Sequence, residues 1–119
     1  MNADRDWVRA ERCFKDKDFV FCLFLIHLSL EKICKGLWVK YNEGNTPPKI
    51  HNLVKILDQT SLKFNSEQTD LMLSMNTYQL EGRYTDYQDK IYKTATKEFT
   101  QNLMDESESL KKCLLEKLQ

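Results

Sequence analysis

The chain has 119 residues, of which 41% are hydrophobic and 30% are charged. This length falls in the single-domain range, and the composition excludes a disordered or membrane-embedded chain because enough apolar surface is present to offset the entropy of ordering. The 18 basic and 18 acidic residues cancel, so the overall charge does not indicate a dedicated nucleic-acid-binding domain, which usually carries a basic excess.

The first predicted element is a helix in which Trp7, Ala10 and Phe14 recur at helical spacing. The opening residues, MNADRDWVRA, lack the apolar core of a signal peptide. We therefore expect a cytoplasmic protein.

The four cysteines of the chain form no C-x-x-C pair, which favours reduced thiols packed inside helices. They are Cys13, Cys22, Cys34 and Cys113.

The longest predicted helix is central and covers residues 19–41, with Asp16 or Asp18 as its N-cap and an end before Gly44. Residues 19–28 are apolar except for His27, which is too short a run for a membrane span of about 20 residues. A helix that is apolar on nearly every side must be enclosed by neighbouring helices or by a second subunit. We therefore expect no membrane association and a homodimer.

The rest of the chain is also predicted to be helical. A break at Gly44, Pro47 and Pro48 precedes a third helix, and a fourth begins at Ser66 and ends at Gly82. A last helix begins around residues 89–93 and shows seven-residue steps typical of lengthwise packing in a bundle. Strict alternation of the strand type is absent. The predicted fold class is all-α, with a single domain over residues 1–119.

The central helix carries the first group of residues that could bind a ligand. Glu31 and Lys35 are four residues apart and can pair across one helical turn, and Lys32 lies beside them. This spacing is typical of a solvated salt bridge, which would stabilise the helix by only about 0.2–0.5 kcal/mol. The alternative is a polar notch in which the lysines meet a phosphate or a carboxylate of a partner.

Two histidines occur, and each has a structural and a functional interpretation. His51 follows the prolines and opens the third helix, where it either caps backbone N–H groups or projects into a cleft. His27 lies in the most apolar stretch, where a satisfied core or interface histidine is more common than a ligand. Their wide separation in sequence gives no metal-site spacing. We therefore expect no metal.

Arg83 and Tyr84 lie in the link before the last helix. Arginine can form a fork to phosphate or carboxylate, and tyrosine can stack on a base, although both could simply hold the loop in place. No Gly-rich phosphate loop, nucleophile elbow or H-E-x-x-H helix is present. No catalytic residue and no cofactor are predicted. We expect Lys32, Lys35, His51 and Arg83 to converge on one cleft.

Taken together, these segments resemble the HEPN family (higher eukaryotes and prokaryotes nucleotide-binding), over roughly residues 4–118. The resemblance rests on an ordered set of short segments: Asp6-Trp7, Leu30-Glu31-Lys32-x-x-Lys35-Gly36, Pro47/Pro48 followed by His51-Asn52-Leu53, and Arg83-Tyr84-x-Asp86. It implies an up-and-down bundle of four main helices plus a short helix, commonly as a homodimer. Members of the family are often encoded beside, or fused to, a minimal nucleotidyltransferase.

Many HEPN proteins are RNases that use an Arg-x4–6-His motif, but Arg83 has no histidine after it. The chain is therefore similar to the non-nuclease members, and the resemblance implies a binding or assembly module that binds a nucleotide or docks a nucleotidyltransferase partner. Two alternatives stay open. One is an RNase toxin in which His51 and Arg83 meet in space, with RNA as its ligand. The other is a structural scaffold without a ligand.

Overall fold

The computed structural model describes residues 2–79 and 85–119, and every regular element in this part of the chain is a helix. There are six: α1 (Asn2–Lys15), α2 (Phe19–Asn42), α3 (Leu53–Asp58), α4 (Ser66–Asn76), α5 (Thr85–Thr94) and α6 (Lys97–Leu118). The predicted all-α class is confirmed. The described residues contain two shorter helices, α3 and α5, where the resemblance implied one.

Local capping explains where the central helix begins and ends. Asp18 caps α2 by accepting a hydrogen bond from the backbone N–H of Phe21 at 3.3 Å. At the other end Glu43 adopts a left-handed conformation with a φ of 51°, and Gly44 follows. A Cβ on Gly44 would lie 3.0 Å from the ring of Trp38, so a side chain there would have to displace that ring. The predicted bounds of this helix are confirmed.

Two predicted bounds in the second half of the chain are wrong. α4 begins at Ser66 as predicted, with Asn65 and Gln68 forming a reciprocal capping box, but it ends at Asn76 and not at Gly82. The predicted last helix is interrupted. Thr96 accepts a hydrogen bond from the backbone N–H of Phe99 at 3.2 Å and starts a new helix there. Its cap separates α5 from α6.

The four long helices α1, α2, α4 and α6 run alternately up and down. Ser29 in α2 donates a hydrogen bond to the carbonyl of Ala3 near the start of α1, which makes these two helices antiparallel. Lys40 at the end of α2 donates to the carbonyl of Lys117 at the end of α6, so α2 and α6 are parallel. The ring of Tyr78, just after α4, packs at a tilt against that of Phe99 near the start of α6. This places α4 antiparallel to α6.

The core is built around α2, which contacts all five other helices. Its side chains at Leu23, Ile26, Leu30, Ile33 and Leu37 are fully buried. Each such residue contributes about 1.5–3 kcal/mol relative to an exposed side chain. Among the described residues, no helix combines the length and the apolar character that a membrane crossing requires.

The cysteines fall into two classes of exposure. Cys22 and Cys34 are buried in α2, whereas Cys13 and Cys113 are half-buried. Burial raises the pKa of the Cys22 thiol to about 12, and burial likewise raises the pKa of Cys34. These two thiols therefore stay protonated at neutral pH and behave as small apolar side chains.

Candidate functional site

The candidate site is centred on the carboxylate of Glu31, on the face of α2 that meets the segment leading into α3. Glu31 is buried, with 5% of its surface exposed. Lys35, one turn further along α2, places its Nζ 3.1 Å from Glu31 Oε2. The predicted pair therefore forms. It differs from a solvated surface bridge because the carboxylate has lost most of its contact with water.

His51 reaches the same carboxylate from a different part of the chain. Its Nδ1 lies 2.9 Å from Glu31 Oε1, and its side chain is 44% exposed. An ionised carboxylate can only accept hydrogen bonds, so the Nδ1 of His51 is the donor. The next residue, Asn52, caps α3 by accepting from the backbone N–H of Lys55, and this cap sets the point at which the chain turns beside α2.

His27 belongs to the cluster, although its sequence context indicated only a core or interface histidine. It is 1% exposed, and its Nδ1 lies 3.9 Å from Glu31 Oε1. Burial lowers the pKa of His27, against the opposing effects of the Glu31 carboxylate, the Asn76 side chain and the His51 backbone. The one available signal was the four-residue spacing between His27 and Glu31, which places both on one face of the helix.

Asn76, the last residue of α4, connects the cluster to two other elements. Its Oδ1 lies 3.2 Å from the Nε2 of His27 and accepts from the backbone N–H of Leu53 at 3.0 Å. Its Nδ2 donates to the Oδ1 of Asn52 at 3.0 Å. The side chain thus joins α2, the start of α3 and the end of α4. Sequence reasoning did not identify Asn76, because its partners are distant in the chain.

Lys32 is directed away from this cluster. Its Nζ forms an ion pair with the carboxylate of Asp6 in α1, and Asp6 is 3% exposed. Successive residues on a helix point about 100° apart, so Glu31 and Lys32 face different neighbours. Lys32 therefore joins α1 to α2. The structure brings Lys35 and His51 together on Glu31, but it gives Lys32 a separate carboxylate.

The other two predicted ligand-binding residues, Arg83 and Tyr84, lie outside the described residues. Their part in the expected cleft remains a prediction. Within the described ranges, no group of three or more His, Cys, Asp or Glu side chains is arranged to hold a metal ion.

The charges of the site nearly cancel. Two lysines, Lys32 and Lys35, each face a buried carboxylate, Asp6 or Glu31. The positive charge of these lysines is therefore largely offset by the two acids. Among the described residues of the cluster, additional positive charge would come from protonation of a histidine. What the arrangement does offer is a set of N–H donors held in place by a buried acceptor.

The described residues thus form an up-and-down helical bundle with a polar cluster on its central helix. The model of the HEPN domain family matches residues 1–118, and the chain belongs to this family. The resemblance of the short sequence segments is thereby confirmed. Comparisons with curated proteins and with solved structures gave no significant match.

Proposed function

We propose that this HEPN domain is a dimeric, non-catalytic binding module in which the Glu31 cluster holds the phosphate of a nucleotide. One observation carries the proposal: Lys35 in α2 and His51 in the segment before α3 converge on one buried carboxylate. Glu31 holds both donors in place before a ligand arrives. Such preorganisation reduces the entropy lost when a ligand is bound.

The side chains of Lys35 and His51 remain accessible from outside the bundle. The side chain of Lys35 is 24% exposed and that of His51 is 44% exposed. The ammonium group of a lysine has three N–H donors, and Glu31 engages Lys35 through one oxygen. A phosphate at the surface can accept from another N–H of Lys35. Arg83 and Tyr84 are proposed to contribute a fork to the phosphate and a stacking surface for the base.

Thermal stabilisation by ATP, GTP, AMP and inorganic phosphate tests this proposal. We expect stabilisation of the wild type to be lost in Lys35→Ala and in His51→Ala. The matched control is Lys112→Ala, because Lys112 pairs with Glu108 over the same four-residue spacing on the exposed surface of α6. Equal stabilisation of all four proteins would refute the site, as would a wild type that binds none of these compounds in calorimetry.

Docking of a minimal nucleotidyltransferase partner is a second form of the same proposal. A protein partner could present a carboxylate or a bound nucleotide to Lys35 and His51. Sedimentation velocity of the domain mixed with such an enzyme distinguishes this form from direct nucleotide binding. If the domain docks such an enzyme, Lys35→Ala should destabilise the complex and leave the isolated domain unchanged.

The homodimer is proposed from the exposed part of α2. Five of the ten residues 19–28 are buried within the bundle, and Phe21, Phe24 and Leu28 form a narrow apolar stripe on the less buried side of the helix. Phe21 is 38% exposed, and its ring lies 5.6 Å from that of Phe24. We expect Phe21→Glu to reduce the mass measured by light scattering to that of the monomer. Val8→Glu, at a 47% exposed position in α1, is the control that leaves the mass unchanged.

An RNase remains the alternative because the ring of His51 is held by a carboxylate, an arrangement that suits proton transfer. The absence of the family's Arg-x4–6-His motif argues against it. We expect the purified protein to leave a mixed RNA pool intact. Cleavage that disappears in His51→Ala would establish the nuclease instead.

A further inference from the structure

A groove separates α4 from α6 on a face of the bundle that shares no residue with the Glu31 cluster. It encloses about 620 Å³. Its floor is apolar and is formed by Leu71, Leu103 and Leu110. Two exposed serines, Ser74 and Ser109, line its sides, and their small side chains leave the floor accessible.

Among the described residues, the charged side chains that line the groove are all acidic. Glu67 and Asp70 extend from successive turns of α4, and Glu106 extends from α6 on the other side. All three are exposed, and none forms an ion pair with another described residue. Within the described part of the chain, no lysine or arginine lines the groove. The acidic rim has therefore no cationic partner within the described part of the chain.

The dimensions suit a short helix. On α4 the lining runs from Asn65 to Ser74, which at 1.5 Å per residue is a length of about 14 Å. That length accommodates between two and three turns of a bound helix. Helices that bind in such grooves place apolar side chains at i, i+4 and i+7 against the floor. The acidic rim then selects for lysine and arginine on the flanks.

We propose that this groove docks a basic amphipathic helix of a partner protein. The apolar floor supplies the buried contact area, and the carboxylates of Glu67, Asp70 and Glu106 supply orientation and a faster encounter. The inference goes beyond the proposed nucleotide site and does not depend on it. Loss of nucleotide binding would leave this interaction intact, and the reverse also holds.

The test uses the full chain and a fluorescein-labelled peptide of about 14 residues, with leucines at i, i+4 and i+7 and lysines on the flanking faces. A scrambled peptide of the same composition has the same charge but no apolar stripe. Fluorescence anisotropy measures both. We expect the amphipathic peptide to bind about tenfold or more tightly than the scrambled one, with an affinity that falls as salt is added.

Two sets of variants separate the contributions of charge and shape. The triple variant E67Q/D70N/E106Q, which neutralises the three acids of the groove, should weaken binding about tenfold. The control E11Q/D89N/E116Q neutralises three exposed acids elsewhere and should leave binding unchanged. Ser109→Trp fills the groove without changing its charge and should abolish binding. Circular dichroism confirms that each variant is folded.

Three results would overturn the proposal. The first is equal affinity for the amphipathic and the scrambled peptide, which would mean that any polycation binds. The second is unchanged binding in Ser109→Trp, which would place the peptide elsewhere. The third is a wild-type oligomer that dissociates in Ser109→Trp, which would make a second copy of this chain the occupant.

Discussion

Replacing Asn76 by alanine is the sharpest test of the polar network around Glu31. The change removes three hydrogen bonds at once: from His27, from the backbone N–H of Leu53, and to Asn52. It should leave the apolar core almost unaltered, because Asn76 lies at the end of α4. Any large loss of stability must therefore come from groups that lose their partners.

The size of the loss follows from the burial of those groups. His27 is 1% exposed and Leu53 is fully buried, so water cannot easily replace the lost acceptor. An unsatisfied buried donor costs about 1–3 kcal/mol, and two of them give a loss of roughly 2–6 kcal/mol in the free energy of unfolding. A domain of this size has an unfolding entropy near 250 cal/mol/K, so each kcal/mol lowers Tm by about 4 °C. The expected fall is about 8–24 °C.

Thermal melts followed by circular dichroism, together with urea titrations, measure this difference. Asn102→Ala is the matched control, since Asn102 is exposed on α6 and its replacement should change stability by less than about 0.5 kcal/mol. If Asn76→Ala and Asn102→Ala melt within about 2 °C of each other, the network contributes little to stability and the reasoning fails.

Three further predictions concern single residues. Because burial lowers the pKa of His27, the unfolded chain binds a proton more readily than the folded one below about pH 6.5. The free energy of unfolding should therefore fall as the pH drops. Urea titrations at several pH values measure this fall, and His27→Gln should reduce it. Lys32→Ala leaves the buried carboxylate of Asp6 without its cation and should cost about 1–3 kcal/mol, whereas Lys112→Ala should change stability by less than about 0.5 kcal/mol in the same titrations. Gly36→Ala should raise stability by about 0.5–1 kcal/mol in thermal melts, because the added Cβ would meet its nearest neighbour at an ordinary contact distance of 3.6 Å; a destabilised variant would show that the helices pack more tightly there.

The fold could be predicted where its signals are local. The bounds of α2 follow from an aspartate cap, a long apolar run and a break rich in glycine and proline, all close together in the chain. The junction between α5 and α6 could not be found in this way. Apolar residues continue at helical spacing on both sides of Thr96, and this pattern obscures a single capping residue.

The same distinction applies to the candidate site. The pairing of Glu31 with Lys35 was predictable because four residues on one helix fix the distance between them. The assignment of Lys32 to Asp6 was not, since it depends on how α1 crosses α2. The link from His27 to Asn76 depends on where α4 ends, and that end was predicted wrongly.

The near-cancellation of charge in the cluster determines what kind of ligand it can select. A phosphate that approaches Lys35 must share the lysine with Glu31, which is already 3.1 Å away. Binding is therefore an exchange of partners and not the neutralisation of an isolated cation, and a neutral chain supplies little long-range attraction. Polyanions in general should gain little from such a site. A ligand gains affinity only if its polar groups match the directions in which Glu31 holds the ammonium group of Lys35 and the ring of His51.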